Sequence, residues 1–431
     1  MNEQGLNNPS GPGRTRPRRL LLCLDGVPLD LVRAAKGRGL FDKFNAPARL
    51  LSPFPTMTNI ALSTMLGATP PNGYESLYFD RKAREVRGGI SKYVGRRTPD
   101  KLPSSYMEQL DYQEPLHFEF LVYVAPEAVW RADMRRFRER FRAAPQTRDF
   151  FAFLKGTDGL LHIRGAGRLE VALESLDRIL TEIHDWCGDE TEIVLFSDHG
   201  MTMREHRRIN LQTHLRGRGY ETAARLQGKK SRSKSVAIPA FGLCGYAALY
   251  CADEDAAAGL ADDVTELEGV DLALHRDGDS AVLVKSERGA ARIERRENGR
   301  GVLYRYEHLT GDPLQLADAF SGLMRDGEAD DKGFAPDAAW YARTAEHVYP
   351  DAVANLFHSL HSPRVGHTAD VLVSTKDGYY YGFSAFDRLV RRLAATHGNA
   401  LKPSTSAFLM STHRAFPATV RAADARPILK G

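Results

Sequence analysis

Two apolar runs of strand length, each stopped by an acidic residue, constrain this chain more than any other feature. Ile193 to Phe196 leads through Ser197 into Asp198-His199-Gly200, and Leu20 to Leu24 leads into Asp25-Gly26. Such short unbroken apolar stretches read as buried strands. In an open α/β sheet, ligands collect at the carboxyl ends of the strands. An Asp and a His placed there offer a hard oxygen and a borderline nitrogen, the donors that suit zinc or manganese. Taken singly, either site also reads as an ordinary turn after a strand.

Three further segments extend the pattern. In Thr157-Asp-Gly-Leu-Leu-His162, Asp158 and His162 are spaced to share one face of a helical turn, which brings two ligands to one ion. Ala395-Thr-His-Gly-Asn399 contributes His397, and Gly366-His-Thr-Ala-Asp370 offers His367 as a competitor. Ser52-Pro-Phe-Pro opens a segment that becomes apolar at helical spacing, from Thr58 through Ile60, Met65 and Leu66, and closes at Gly67. Thr58 then sits at a helix N-terminus, where unpaired amides and the helix dipole favour a phosphate, although a plain N-cap is the simpler use of a Thr there. A Thr hydroxyl is a poor nucleophile near neutral pH unless a base or a metal activates it.

Taken in order, Asp25, Thr58, Asp158-x-x-x-His162, Asp198-His199-Gly and His397-Gly resemble the alkaline phosphatase superfamily, and most closely its type I phosphodiesterase/nucleotide pyrophosphatase family. The resemblance runs from Leu20 to about Leu429 and includes a closing strand and helix from Ser406 onward. It implies an α/β fold: an alkaline phosphatase-like three-layer sandwich with a central, mostly parallel sheet and an inserted α+β region on the substrate side. It also implies two divalent metal ions, zinc by preference and manganese as the alternative. Asp25, Thr58, Asp198 and His199 match the set around one ion, and Asp158, His162 and His397 match the set around the other. Thr58 would form a covalent phospho-enzyme that water then releases. The Pro-Thr-x-Thr pattern makes the second Thr the nucleophile and leaves Thr56 open as the alternative.

The departures narrow the substrate. Nucleotide pyrophosphatases place a phosphate-binding Asn beyond the position of Pro70-Pro-Asn-Gly73, and Tyr74 to Asp80 contains none, which argues against nucleotides in particular. The Cys/Ser-x-Pro-x-Arg motif of the sulfatase branch is absent, and the mutase branch uses Ser where this chain has Thr58. All six Asp and His positions are present, which separates the chain from a binding protein that has lost the chemistry. The expected substrate is a small phosphate ester, a diester first, with monoesters and phosphonates as alternatives.

Composition fits this reading. The 431 residues are 42% hydrophobic, enough for a large core, and a net charge of +4 gives no reason to expect stable nucleic-acid binding. Basic residues cluster at Arg14 to Arg19, Arg204 to Arg208 and Lys229 to Lys234; the second run, beside Asp198-His199, is placed to draw in an anion. Cys23, Cys187, Cys244 and Cys251 have no Cys-x-x-Cys spacing and read as free thiols in a reducing compartment. No stretch approaches the roughly 20 apolar residues of a membrane span. The run before Asp25 is too short for a signal peptide, so a cytoplasmic protein is expected. The oligomeric state leaves no trace in the sequence.

The expected organisation is a disordered tail over 1–18 and a catalytic domain over 19–431, with insertions at about 80–150 and 213–350. Helices are expected at Trp130 to Arg142, Arg168 to Trp186, Ala256 to Glu268, Pro313 to Met324 and Asp337 to Glu346. A strand is expected at His117 to Val124, and loops at Lys82 to Gly89 and Thr98 to Tyr106. A meander of short strands is expected from Ser235 to Tyr306, with Val371 to Ser374 and Ser406 to Ser411 returning to the central sheet.

Overall fold

Leu20 to Leu24 does form a strand, Arg19–Leu24, and it lies deep within a seven-stranded sheet. The computed structural model describes residues 19–89, 102–114, 121, 124–145, 148–226, 234–299, 301–361, 364–382 and 393–430. Across the central sheet the strands are Thr419–Arg421, Ala48–Leu51, Ser406–Ser411, Glu192–Ser197, Arg19–Leu24, Phe150–Leu154 and Tyr112–Gln113. Ser406–Ser411 runs antiparallel to both neighbours, and every other pairing is parallel.

Alternation along each strand builds two separate cores. Leu20, Leu22 and Leu24 face helices Leu29–Gly37, Pro126–Ala143 and Ala166–Cys187 through Val32, Phe137 and Leu173. Leu21 and Cys23 face helix Thr58–Leu66 and the C-terminal helix Arg426–Lys430 through Leu62, Met65 and Leu429. Because both faces are covered, the strands read as continuous apolar runs. The three-layer α/β arrangement expected from the sequence is the one found.

Beside it stands a nine-stranded sheet, antiparallel except for the edge pair Ser235–Ala237 and Glu221–Thr222. Tyr246, Ala248 and Tyr250 point into one core, where helix Ala352–His361 covers the sheet; Ala247, Leu249 and Cys251 point into another, under helices Leu211–Gly217 and Ala257–Thr265. Phe54, Met57 and Ile60 belong to the first of these cores, whereas Ala61, Leu62 and Met65 belong to the central sheet. The start of helix Thr58–Leu66 is therefore wedged between the two sheets.

The meander and the helices expected between Ser235 and Thr344 are present within a few residues of their expected bounds. Two elements differ. Val371–Thr375 pairs with Tyr246–Cys251 and Val270–Asp277 in the second sheet, not in the central one. Lys82 to Gly89 is no simple loop but contributes to a hairpin of Leu77–Asp80 with Glu85–Gly88. The strand expected at His117 to Val124 falls largely outside the described residues, as does the 1–18 tail; of the loop expected at Thr98 to Tyr106, Leu102 to Ser105 are irregular and Tyr106 begins a short 3-10 helix. The strand that flanks Phe150–Leu154 is the shorter Tyr112–Gln113.

Charged side chains fasten the sheets together. Arg421, on the edge strand of the central sheet, reaches Asp337 at 2.5 and 2.8 Å and Asp351 at 2.7 Å, while Arg49 of the neighbouring strand meets Glu346. Burial pushes Asp351 up to about 6 against the pull of Arg421. Arg421→Met strands two carboxylates and is expected to destabilise the fold by about 3 kcal/mol at pH 8, the low end for a pair partly open to water. A carboxylate whose folded pKa is raised costs stability as pH rises through that pKa, and removing its cation raises the pKa further. The loss should thus be smaller at pH 5 than at pH 8 in denaturant titrations. An equal loss at both values would show that Asp351 does not depend on Arg421.

Candidate metal centre

The strand register brings the candidate ligands to one edge of the sheet. Leu24 pairs with both Leu154 and Ser197, so the three strands end level and release Asp25, the Lys155-Gly156 turn and Asp198 side by side. The chain re-enters a helix at Gly156–Arg164, which places Asp158 and His162 one turn apart on the same side. Gly26 sits at φ +71° in the angle between these segments. A Cβ there would come within 2.9 Å of Met201 Cε and 3.1 Å of Asp158 Oδ1, so only glycine permits the approach.

Two triads result. The ligand atoms of Asp25, Asp198 and His199 lie within 4.8 Å of one another, as do those of Asp158, His162 and His397, and all six residues are buried. In the first, His199 Nε2 is 3.5 Å from Asp25 Oδ1 and 3.4 Å from Asp198 Oδ2. In the second, Asp158 Oδ1 is 3.2 Å from His162 Nε2 and 3.6 Å from His397 Nε2. The His199 and His397 rings stack at 3.9 Å, joining the triads into one cluster.

The hydrogen bonds around the imidazoles decide what they offer. Nδ1 of His162 lies 2.7 Å from Ala395 O, that of His397 2.7 Å from Thr56 O, and that of His199 3.0 Å from Gly200 O. A carbonyl only accepts, so each Nδ1 carries the proton, and each Nε2 faces the carboxylates with a lone pair while its ring is neutral. Lone pair then faces lone pair, an arrangement that a proton or a metal ion must bridge. Consistent with this, Asp158 Oδ1 and Asp198 Oδ2 are buried with no hydrogen-bond partner. The outer carbonyls are the supports that metal-bound imidazoles require, so the residues fit two divalent ions.

The protonation tendencies express the same excess of negative charge in a dry site. Burial, then the charges of Asp198 and Asp158, push the Asp25 carboxyl well above its usual range, and burial lifts Asp198 to about 6. Burial lowers His199 to about 4 and, with the neighbouring His199, His397 to about 3. Burial also opposes charge on Asp158 and His162, but their mutual attraction outweighs it, lowering the acid and raising the base.

Thr58 is the first residue of its helix, and its hydroxyl donates to Asp25 Oδ1 at 3.2 Å while lying 3.4 Å from His199 Nε2. Thr56 lies elsewhere: it is fully buried, and its hydroxyl accepts from Gly398 N at 2.7 Å. His367 belongs to neither triad; its Nδ1 accepts from Arg81 N at 3.2 Å and its ring stacks on Tyr78. The basic run beside the site is partly engaged elsewhere, with Arg207 paired to Glu268 and Arg208 donating to Gly382 O.

Several supporting groups went unnoticed in the sequence. Ser197 accepts from Val27 N at 2.9 Å and donates to His199 O at 2.8 Å, and Thr157 donates to Asp25 O at 2.7 Å. Both stand next to a candidate ligand, the one signal that could have marked them. The carbonyls of Ala395, Thr56 and Gly200 have no sequence signal, since every residue carries one.

No protein-family model matches the chain, and no curated protein matches it. Among solved structures, murine ectonucleotide pyrophosphatase / phosphodiesterase 5 is similar at 12% identity, over 96% of this chain and 94% of that one, with a TM-score of 0.46. The human protein of the same name aligns at 12% identity over 96% and 93%, with a TM-score of 0.47. Phosphonoacetate hydrolase from Sinorhizobium meliloti 1021, in complex with phosphonoformate, aligns at 12% identity over 96% and 94%, with a TM-score of 0.45. The first two carry the name of the family that the motifs resemble; likeness at this level bears on neither activity nor substrate.

Proposed function

We propose that the chain is a two-metal hydrolase of phosphate esters, phosphodiesters first, that acts in the cytoplasm through a covalent phospho-Thr58 intermediate. The observation that carries this reading is the Thr58 hydroxyl at a helix N-terminus, 3.2 Å from Asp25 of one triad, with the second triad stacked against the first. Asp25, Thr58, Asp198 and His199 would hold one ion, and Asp158, His162 and His397 the other. Three imidazoles favour zinc, with manganese the alternative. When bound, two such ions supply positive charge to the entering and leaving oxygens of an in-line displacement.

The chain's own groups do the rest. In the first turn of helix Thr58–Leu66 the Ile60 and Ala61 N–H groups close onto Met57 O, so those of Thr58 and Asn59 stand at the open end, where the dipole favours a phosphoryl group. The Thr58 hydroxyl directs its proton to Asp25 Oδ1. Its oxygen bonds to phosphorus as the bond to the leaving oxygen breaks, and the leaving oxygen takes up the proton that Thr58 gave away. Water then bonds to phosphorus as the bond to Thr58 breaks, and one of its protons returns to the Thr58 oxygen as the phosphate leaves. The insertions at about 80–150 and 213–350 would shape the substrate side. Four buried free cysteines accord with a reducing compartment, and no helix among the described residues is long and apolar enough to cross a membrane.

Two measurements test the reading. Zinc at a hundredfold excess over its Kd should add about 2.7 kcal/mol per site, so chelator-stripped protein should melt well below the loaded form, and Asp158→Asn should lose one ion. Identical melting of stripped and loaded protein would remove the metal reading. Thr58→Ala leaves Asp25, Asp198 and His199 to hold the first ion, so it should keep both ions yet lose at least about 10³-fold in turnover of bis-p-nitrophenyl phosphate. Wild-type preference for p-nitrophenyl phosphate or for a phosphonate would move the substrate class, and undiminished turnover by Thr58→Ala would sink the nucleophile.

A further inference from the structure

Thr56 stands two residues before the candidate nucleophile, yet its contacts all go to the segment that carries His397. Its amide donates to Gly398 O at 3.4 Å. Its carbonyl accepts from His397 Nδ1 at 2.7 Å, its hydroxyl accepts from Gly398 N at 2.7 Å, and the same hydroxyl donates to Asn399 O at 3.4 Å. The side chain is fully buried, with donor and acceptor capacity both used on one target. That target has little freedom of its own. Gly398 adopts φ +111° where a Cβ would come within 3.0 Å of Gly245 N, and Gly245 N in turn donates to His397 O. His397 is thus gripped on one side by the second sheet and on the other by Thr56.

We propose that Thr56 is a positioning residue that fixes the second metal set relative to the nucleophile, an inference that rests on the two-metal reading above. Thr56 and Thr58 flank Met57, so one short stretch of backbone holds His397 through residue 56 and presents the hydroxyl through residue 58. The spacing between the second set and the attacking oxygen is therefore set by this stretch and not by the sheet edge alone. The hydroxyl matters because it ties Gly398 and Asn399 on the far side of His397. Without it, the Thr56 carbonyl still faces His397, but Gly398 N loses its acceptor, and the segment that carries the ring is held less closely beside Asp158.

The test is zinc binding by the full chain, measured as stoichiometry by mass spectrometry of the metal and as stepwise affinity by chelator competition, for wild type, Thr56→Val and Thr56→Ser. Thr56→Val keeps the shape and the backbone carbonyl but removes the hydroxyl. It should bind the first ion as wild type does and the second at least about tenfold more weakly, the same ion that His397→Ala loses. Thr56→Ser keeps the hydroxyl and should return the second affinity to within about threefold of wild type. Should Thr56→Val fail to fold by circular dichroism, Thr56→Ala carries the same expectation. Two ions in wild type with an unchanged second affinity in Thr56→Val would overturn the inference alone, as would equal weakening of both ions or failure of Thr56→Ser to restore the second. Fewer than two ions in wild type would overturn the two-metal reading itself and the inference with it.

Discussion

Three imidazoles each give the Nδ1 proton to a backbone carbonyl, and their Nε2 lone pairs converge on three buried carboxylates. Most of the remaining structure serves this constraint. Carbonyl oxygens of Ala395, Thr56 and Gly200 must be held where each ring needs an acceptor, which requires segments far apart in sequence to be fixed to within hydrogen-bond tolerance. A buried group of like charges is costly without its cations, and burial pushes the Asp25 and Asp198 carboxyls up, toward the protonated form that would relieve that cost.

The two sheets divide this work. The central sheet ends its strands level, so that Asp25, Asp198 and the helix bearing Asp158 and His162 start from one edge. The second sheet provides the far wall, since Gly245 beside strand Tyr246–Cys251 holds His397 O. Helix Thr58–Leu66 is shared between the two cores, so the position of its first hydroxyl depends on both. The ion pairs of Arg421 and Arg49 with Asp337, Asp351 and Glu346 fasten the sheets at a distance from the ligands.

Particular residues show where the sequence was readable. Asp25 and Asp198 stood out because each ends a continuous apolar run of strand length, and the repetition of that design outweighed the ordinary turn that either would mark alone. Asp158 and His162 stood out through helical spacing alone. The closing strand that follows His397-Gly favoured His397 over its competitor His367, and the contacts with Thr56 and Arg81 place the two rings apart. The Pro-Thr-x-Thr pattern favoured Thr58 over Thr56, and in the structure the Thr56 hydroxyl turns to Gly398 and the Thr58 hydroxyl to Asp25. Val371–Thr375 was assigned to the wrong sheet for the converse reason: a fully buried strand looks the same in either. The Leu77–Asp80 hairpin escaped notice because its strands are short and part-exposed.

The sequence by itself determined the layers, the strand ends that carry acids and the types of donor available, because periodicity and composition are local properties that burial imprints on each segment. The tertiary structure decided which carbonyl orients each histidine, what Thr56 holds and which sheet receives each strand. Those choices rest on backbone carbonyls, ring orientations and contacts between residues up to several hundred positions apart, and no side-chain pattern records them.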